Sequence, residues 1–260
     1  MQPIYTTQIT KFKGGEKFLK DDILVREIKL EIYINGKKFG AMMATPVDQD
    51  ALAVGYLISE NIISKPSDIS EVRVDDDGLS VRITAKVNEK SMQRFDEEAI
   101  IISGCGRGQT ANIDPDEMAA RIVRSEIKFK KDEILRQMGQ FYTQCELYEM
   151  TGCVHTAKLY VDEKTFFIGE DIAQHNTIDK AVGKACLAGA DLSKTFLMVS
   201  GRLSSEMVAK AVMHTVPVLV SRTAPTSLGV VIARKFELTL CGFARGENIN
   251  VYSGLERIIE

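Results

Sequence analysis

The amino-acid sequence predicts an α/β protein with two parts, a smaller β-rich N-terminal unit at residues 1–98 and a layered mixed-sheet α/β domain at residues 99–260. In the first part, turn-forming residues separate short strands that return as hairpins. In the second part, helical and strand-like segments alternate, which is typical of helices layered on a parallel or mixed sheet. A chain of 260 residues with 45% hydrophobic content is long enough to bury such a core.

The N-terminal unit opens on a polar stretch for which no element is predicted. Alternating side chains then predict a strand from Ile23 to Ile34. Asn35-Gly36 is a strong hairpin signal, so Lys37 to Thr45 is expected to return beside that strand. Asp48 is suited to cap a following helix that ends near Glu60.

A second hairpin is predicted from Ile69 to Val74 and from Leu79 to Val87, joined by an acidic turn that ends at Gly78. The polar, charged residues 88–98 favour an exposed connector. Beyond it, Ile100 to Ile102 predicts a buried strand that runs into a glycine-rich loop. A loop at a strand end is a favoured place for functional residues, because a rigid element positions it.

Helical periodicity covers roughly Lys131 to Met150. After it, strands and helices are expected to alternate. The predicted strands cover residues 154–160, 166–169, 196–200, 218–221, 238–241 and 249–252, and the predicted helices cover 177–188, 204–214 and 227–234.

The charge balance argues against a polyanionic partner. Lys and Arg number 33 and Asp and Glu 36, so the net charge of -3 predicts binding neither to nucleic acid nor to an anionic membrane surface. No apolar run approaches the ~20 residues that span a bilayer, and the polar N-terminus resembles no signal peptide. Five scattered cysteines without a CxxC pair favour reduced thiols. We expect a cytoplasmic protein.

Cys105 is the candidate reactive thiol. It lies between Gly104 and Gly106, and Arg107 follows two residues later. Glycines allow a ligand to approach the backbone closely, and a nearby guanidinium stabilises a thiolate. A structural loop with an incidental cysteine is the alternative. The other cysteines are assigned mainly to apolar packing: Cys145, Cys153, Cys186 and Cys241.

The three histidines differ in their setting. His155 begins a predicted strand, but Ala157 stands where a zinc deaminase needs a glutamate, so neither zinc nor hydrolysis is expected. His175 lies in a dense polar cluster at a helix start, either as a site residue or as part of a solvated helix end. His214, near the end of a helix, is assigned to the surface or to capping.

Three more loops follow predicted strands. Residues 200–206 contain a Ser and a Glu that resemble a capping box, and Arg202 beside the helix N-terminus also suits an anion. Residues 221–227 join a strand to a helix, and residues 242–248 are predicted to link the last two strands. None matches a nucleotide-hydrolysing motif.

Taken together, several segments resemble the formate dehydrogenase accessory sulfurtransferase family, the FdhD/NarQ family. The matching segments are ALAVGYLISENII, SGCGRG, TGCVHTAKLY, GEDIAQHNTIDKAVGKA, VSGRLSSEMVAKA, PVLVSRTAPTSLGV and LTLCGFARGENINVYSG. They cover most of the chain from about residue 51 to 253, and their joint order is more specific than any single motif.

The resemblance implies a sulfur carrier. Such a protein takes persulfide sulfur from a cysteine desulfurase and passes it to the Mo-bis(molybdopterin guanine dinucleotide) cofactor for formate dehydrogenase. It further implies a homodimer and a fold related to cytidine deaminase. Cys105 matches the first cysteine of the family's CxxC, and Gly108 replaces the second.

The resemblance also assigns the cofactor site to the segment near the C-terminus. Its residues are Phe243, Ala244, Arg245, Gly246, Glu247 and Asn248. His175 and Arg202 are expected to share its pocket. A chaperone that binds the cofactor or the apoenzyme without chemistry is the alternative, and the missing second cysteine keeps it open.

Overall fold

The computed structural model describes residues 1–98 and 121–260, with side chains for residues 1–93 and 121–260. Cys105, Gly108 and the predicted strand Ile100 to Ile102 lie outside the described residues. None of the helices in the described ranges is long and apolar enough to cross a bilayer.

The chain begins with a long hairpin of two antiparallel strands, β1 (Ile4–Lys13) and β2 (Glu16–Val25). Its turn is Gly14-Gly15, and both glycines have positive φ, which suits a two-residue hairpin loop. The polar start, for which no element was predicted, therefore forms a hairpin. Both strands are largely exposed, so they lack the buried face that an alternating pattern detects.

A four-stranded sheet follows, with the order β4-β3-β6-β5. Its strands are β3 (Ile28–Ile34), β4 (Lys37–Ala44), β5 (Ile69–Val74) and β6 (Ser80–Ala85). Both predicted hairpins are confirmed, and Gly36 and Gly78 have the positive φ that their turns require. The single predicted strand from Ile23 to Ile34 instead divides between β2 and β3.

Helix α1 (Gln49–Ser59) has the predicted extent but lacks the predicted cap. Asp48 has a left-handed φ of 53° and its side chain does not cap the helix. That carboxylate forms an ion pair with Lys184 instead. Residues predicted as a connector form helix α2 (Glu89–Glu98). It was missed because its sequence is almost entirely polar.

The larger sheet has six strands in the order β13-β12-β11-β10-β8-β9. Strands β10, β11 and β12 are parallel to each other, and the remaining pairs are antiparallel, so the predicted mixed sheet is confirmed. These strands are β8 (His155–Tyr160), β9 (Phe166–Asp171), β10 (Phe196–Val199), β11 (Val218–Ser221), β12 (Thr239–Arg245) and β13 (Asn248–Ser253). A short parallel pair, β7 (Phe129–Lys130) and β14 (Ile258–Ile259), lies apart from them.

Helices connect and cover these strands. The predicted helix from Lys131 to Met150 is two helices, α3 (Lys131–Gly139) and α4 (Glu146–Thr151). Gln144, between them, has a φ of 70°, which an α-helix does not allow. The later helices agree with the prediction within a few residues: α5 (Gln174–Leu187), α6 (Ser205–Met213) and α7 (Ser227–Lys235).

One hydrophobic cluster joins the four-stranded sheet to the larger one. Helices α1 and α5 cross at very short range. A Cβ on Gly55 would collide with the Asp179 carbonyl, and a Cβ on Gly183 would collide with the Ala51 carbonyl. The core therefore continues past residue 98, while the division of the chain at that position stays a prediction.

His214 corrects a further expectation. The residue is 2% exposed, so it is a core residue rather than a surface or capping group. His214 Nε2 lies 3.9 Å from Asp179 Oδ1, and burial lowers the pKa of this imidazole. The helix pattern could not reveal that α1 and α5 cover the end of α6.

Candidate functional site

The polar loops gather at one edge of the six-stranded sheet. Because β10, β11 and β12 are parallel, their carboxyl ends and the loops that follow them share this edge. Strand β8 runs antiparallel to β10, which brings its first residue, His155, to the same edge. His155 also pairs with Asp171 at the end of β9, just before α5. The carboxyl ends of such strands are where open α/β sheets bind ligands.

His155 contacts the first loop. Its Nδ1 lies 3.3 Å from Ser200 Oγ, which also accepts a hydrogen bond from Thr156 N at 3.1 Å. Burial lowers the pKa of His155, so the neutral imidazole dominates at neutral pH. Within the described ranges no group of three His, Cys, Asp or Glu side chains is arranged to hold a metal ion.

His175, in the first turn of α5, contacts α6. Its Nε2 lies 3.1 Å from Glu206 Oε2, and both side chains are about one-third exposed. Burial is the largest cause that lowers the pKa of His175, and the Lys210 charge lowers it further. The Glu206 carboxylate raises this pKa and so opposes the shift. The sequence assigned Glu206 to a capping box, but the Ser204 hydroxyl alone caps α6 by accepting from Met207 N. Sequence reasoning therefore missed that Glu206 contacts His175.

Arg202 lies in the loop after β10, which is fixed against the start of α5. Gln174 Nε2 donates to the Arg202 carbonyl at 2.8 Å, and a Cβ on Gly201 would collide with the Gln174 side chain. The Arg202 side chain is exposed, and its guanidinium makes no hydrogen bond or ion pair to any other described residue. Within the described part of the chain, this guanidinium thus has no partner, which suits an anionic ligand.

The loops after β10 and β11 are bonded to each other. Ser221 Oγ donates to the Gly201 carbonyl at 2.6 Å and accepts from Thr223 N at 3.0 Å. Leu203 N donates to the Ala224 carbonyl, and Thr226 N donates back to the Leu203 carbonyl. No sequence pattern indicates this coupling between the loops, since it depends on the parallel pairing of two strands.

The predicted cofactor segment is a strand end and a tight turn rather than a loop. Strand β12 continues to Arg245, and only Gly246 and Glu247 separate it from β13. The register shifts between Gly242 and Arg245, and within this bulge Phe243 has a φ of 52°. A non-glycine residue in that region stores strain, which is common at ligand sites.

The side chains of this segment differ in their burial. Phe243, Arg245, Glu247 and Asn248 are exposed, and Ala244 is buried. Phe243 N donates to the Thr223 carbonyl at 3.1 Å, and Arg245 Nε donates to the Arg222 carbonyl at 2.7 Å.

The loop after β11 thereby lies between the two halves of the predicted site. One side of that loop is bonded to the Arg202 loop, and the other side to Phe243 and Arg245. Within the part of the chain that the structure describes, no hydrogen bond or ion pair joins His175 or Arg202 directly to residues 243–248.

The described cysteines separate into two kinds. Burial raises the pKa of Cys145, Cys186 and Cys241 to about 12, which agrees with their assignment to packing. Cys153 is exposed and precedes His155 by two residues, so its assignment to apolar packing was wrong.

Comparisons with known proteins agree on one family. A family model described as the FdhD/NarQ family matches residues 25–259. A protein of Wolinella succinogenes named Sulfur carrier protein FdhD is 40% identical over 247 residues, covering 94% of this chain and 86% of its own. Proteins with the same name from Bacillus pumilus and Staphylococcus aureus MRSA252 are each 31% identical over 253 residues, covering 97% of this chain and 96% and 95% of their own.

A solved structure extends the similarity to the fold. It comes from Desulfotalea psychrophila and is assigned as a formate dehydrogenase accessory protein. It is 25% identical in sequence, has a TM-score of 0.80, and covers 99% of this chain and 100% of its own.

Proposed function

Since the chain belongs to the FdhD/NarQ family, we propose that it is a sulfur carrier that serves formate dehydrogenase. The observation that carries this proposal is the 40% identity, along nearly the whole chain, to a protein named as a sulfur carrier. In the proposed reaction, Cys105 receives persulfide sulfur from a cysteine desulfurase in the cytoplasm. The protein then delivers that sulfur to Mo-bis(molybdopterin guanine dinucleotide), which is its substrate.

The first step is thiol exchange. The Cys105 thiolate attacks the outer sulfur of the desulfurase persulfide, forming a new S–S bond as the desulfurase S–S bond breaks. The desulfurase cysteine leaves as a thiolate. Delivery of the carried sulfur as sulfide consumes two electrons, which we assign to a thiol reductant, and it returns Cys105 to the thiol state.

The strand-end edge is proposed to hold the cofactor. Arg202 and Arg245 are exposed guanidiniums, which match phosphate oxygens with paired donors. Phe243 is 42% exposed and offers an aromatic face for the guanine base. His175, held by Glu206, lies on the other side of the Arg222–Pro225 loop. The dinucleotide would therefore extend across that loop, with one end on each side.

A substitution of the proposed carrier tests this function. We expect Cys105→Ala to fold normally and to abolish activation of formate dehydrogenase in a strain lacking the native protein. Cys153→Ala is the matched control, because Cys153 is an exposed cysteine with no assigned role. Full activation by the Cys105→Ala protein, or equal loss in both variants, would contradict the relay.

Gly108, in place of the second family cysteine, favours the cofactor-binding chaperone as a second candidate. A chaperone would bind the cofactor and activate the client without ever holding sulfur. Activation by a Cys105→Ala protein that still binds guanosine diphosphate would support it.

A further inference from the structure

Two tyrosines stack on each other beside the strand-end edge. Tyr142 lies between α3 and α4, and Tyr148 lies within α4. Their ring centroids are 4.1 Å apart, the two ring planes are inclined by only 13°, and both residues are half-buried. A near-parallel pair of rings has flat outer faces, onto which a third flat ring can stack.

The side chain of Arg222 extends this stack. Its Cζ lies 5.8 Å from the centroid of the Tyr142 ring, and its Nη1 donates to the Met138 carbonyl at 3.1 Å, which fixes the guanidinium. Tyr142 therefore has both a ring and a cation as neighbours. In the described chain, no ring or cation other than the Tyr142 ring contacts the ring of Tyr148. The second face of Tyr148 is thus the one that suits a ligand.

The stacked tyrosines are joined to the segment that we assign to guanine. Arg245 Nε donates to the Arg222 carbonyl at 2.7 Å, and Phe243 N donates to the Thr223 carbonyl at 3.1 Å. The Arg222–Pro225 loop therefore contacts residues 243–248 through its backbone and Tyr142 through its first side chain. A ligand on Phe243 and Arg245 has the tyrosines as its neighbours across this loop.

Tyr148 is held in place although α4 has only six residues. The buried carboxylate of Glu170, near the end of β9, accepts from Leu147 N at 3.2 Å and from Tyr148 N at 2.8 Å. Gln144 and Gly152, on the two sides of α4, have positive φ, so a turn bounds the helix at each end. The ring is thus positioned before a ligand arrives, which lowers the entropic cost of binding.

We propose that Tyr148, supported by Tyr142 and Arg222, binds a pterin ring of the cofactor. This inference rests on the proposed function, because the pterin is part of the cofactor named there. A bis-dinucleotide has two arms, so one arm can extend toward His175 and the other toward the tyrosines. A pterin is a flat, uncharged heteroaromatic ring, and aromatic side chains backed by a guanidinium hold such rings by stacking.

Three variants separate stacking from folding. Tyr148→Leu removes the ring but keeps an apolar side chain and the backbone bond to Glu170. Tyr148→Phe keeps the ring. Tyr33→Leu is the matched control, because Tyr33 also has a guanidinium over its ring, that of Arg82 at 4.4 Å, but lies in the four-stranded sheet.

Fluorescence titration of neopterin, a free pterin, with the full chain measures the affinity. We expect the parent, Tyr148→Phe and Tyr33→Leu to bind neopterin with dissociation constants within about twofold of each other, and Tyr148→Leu to bind it about tenfold more weakly or worse. Retained binding of guanosine diphosphate by Tyr148→Leu shows that this variant is folded. A parent that does not bind neopterin, or equal affinity in Tyr148→Leu and the parent, would overturn the proposal.

Competition then separates the pterin position from the guanine position. A pterin shares the aminopyrimidinone ring of guanine, so the two probes can compete for the Phe243 side. We expect saturating guanosine diphosphate to leave the affinity for neopterin unchanged. Displacement of neopterin by guanosine diphosphate would assign both rings to one position and overturn the proposal. A Cys105 that never holds sulfur would contradict the proposed function, whereas neopterin binding at Tyr148 would be unaffected.

Discussion

Asp179 and Lys210 form an ion pair in the protein interior, with Oδ2 and Nζ 2.8 Å apart. Ser59 Oγ accepts a further hydrogen bond from Lys210 Nζ at 2.8 Å. This group thereby connects α5, α6 and the end of α1. Removal of one partner from a buried pair leaves the other charge without compensation.

We therefore expect Lys210→Met to lower the free energy of unfolding by about 3–5 kcal/mol. Lys184→Met is the control, because the Lys184–Asp48 pair is partly exposed and is expected to contribute about 1 kcal/mol or less. Urea unfolding measures both. Equal losses of unfolding free energy in the two variants would show that the buried Asp179–Lys210 pair stabilises the protein no more than the partly exposed pair does.

His214 predicts a pH dependence of stability. Burial lowers its pKa below the unfolded value of about 6.5, so the unfolded chain binds the proton more readily. Stability is then fully present above that value and falls as the pH drops below it, by at most about 1.4 kcal/mol per pH unit for this group. His214→Gln should reduce the slope measured by urea unfolding between pH 7 and pH 5. An unchanged slope would contradict burial of the neutral imidazole.

Arg245 is expected to contribute to nucleotide binding. Arg245→Ala should weaken the affinity for guanosine diphosphate by about 1.5–3 kcal/mol, the scale of a lost charge-assisted hydrogen bond. Arg234→Ala is a matched control, because Arg234 is also exposed and also donates Nε to a backbone carbonyl, that of Tyr252. Calorimetry at matched salt compares them. Equal affinities of the two variants for guanosine diphosphate would contradict a role of Arg245 in nucleotide binding.

Glu206 is expected to raise the pKa of His175. Glu206→Gln removes the carboxylate that favours the imidazolium, so the pKa of His175 should fall further. NMR titration of the His175 ring protons measures the shift. Glu247→Gln, an exposed change on the β12–β13 turn, should leave it in place. A His175 pKa that is the same in Glu206→Gln and the parent would show that the contact at 3.1 Å does not persist in solution.

Local signals predicted much of the fold. Asn35-Gly36 and the turn ending at Gly78 fixed two hairpins, and Ser204 marked a helix start by its cap. These elements depend on a few neighbouring residues, so a sequence pattern detects them. Hairpin β1–β2 was missed because it lacks the buried face that creates a pattern, and helix α2 was missed because its sequence is almost entirely polar.

The contacts within the candidate site could not be predicted from the sequence. Arg202, His175 and Arg245 were assigned to the site from their loops and from the family resemblance, and that assignment stays a prediction, whereas the contacts of Glu206 and Ser221 were not predicted. Their contacts depend on which strands are parallel and how two helix starts face each other. Burial of His214 could not be predicted either, because it depends on how the helices pack against each other.

The proposed function depends most directly on whether Cys105 holds sulfur. The full-length protein would be incubated with a cysteine desulfurase and isotopically labelled cysteine, alkylated, digested and analysed by mass spectrometry. We expect the peptide containing Cys105 to gain one labelled sulfur atom that a thiol reductant removes, and the peptide containing Cys153 to gain none. Labelled sulfur on Cys153 alone, or on neither cysteine, would contradict the proposed carrier.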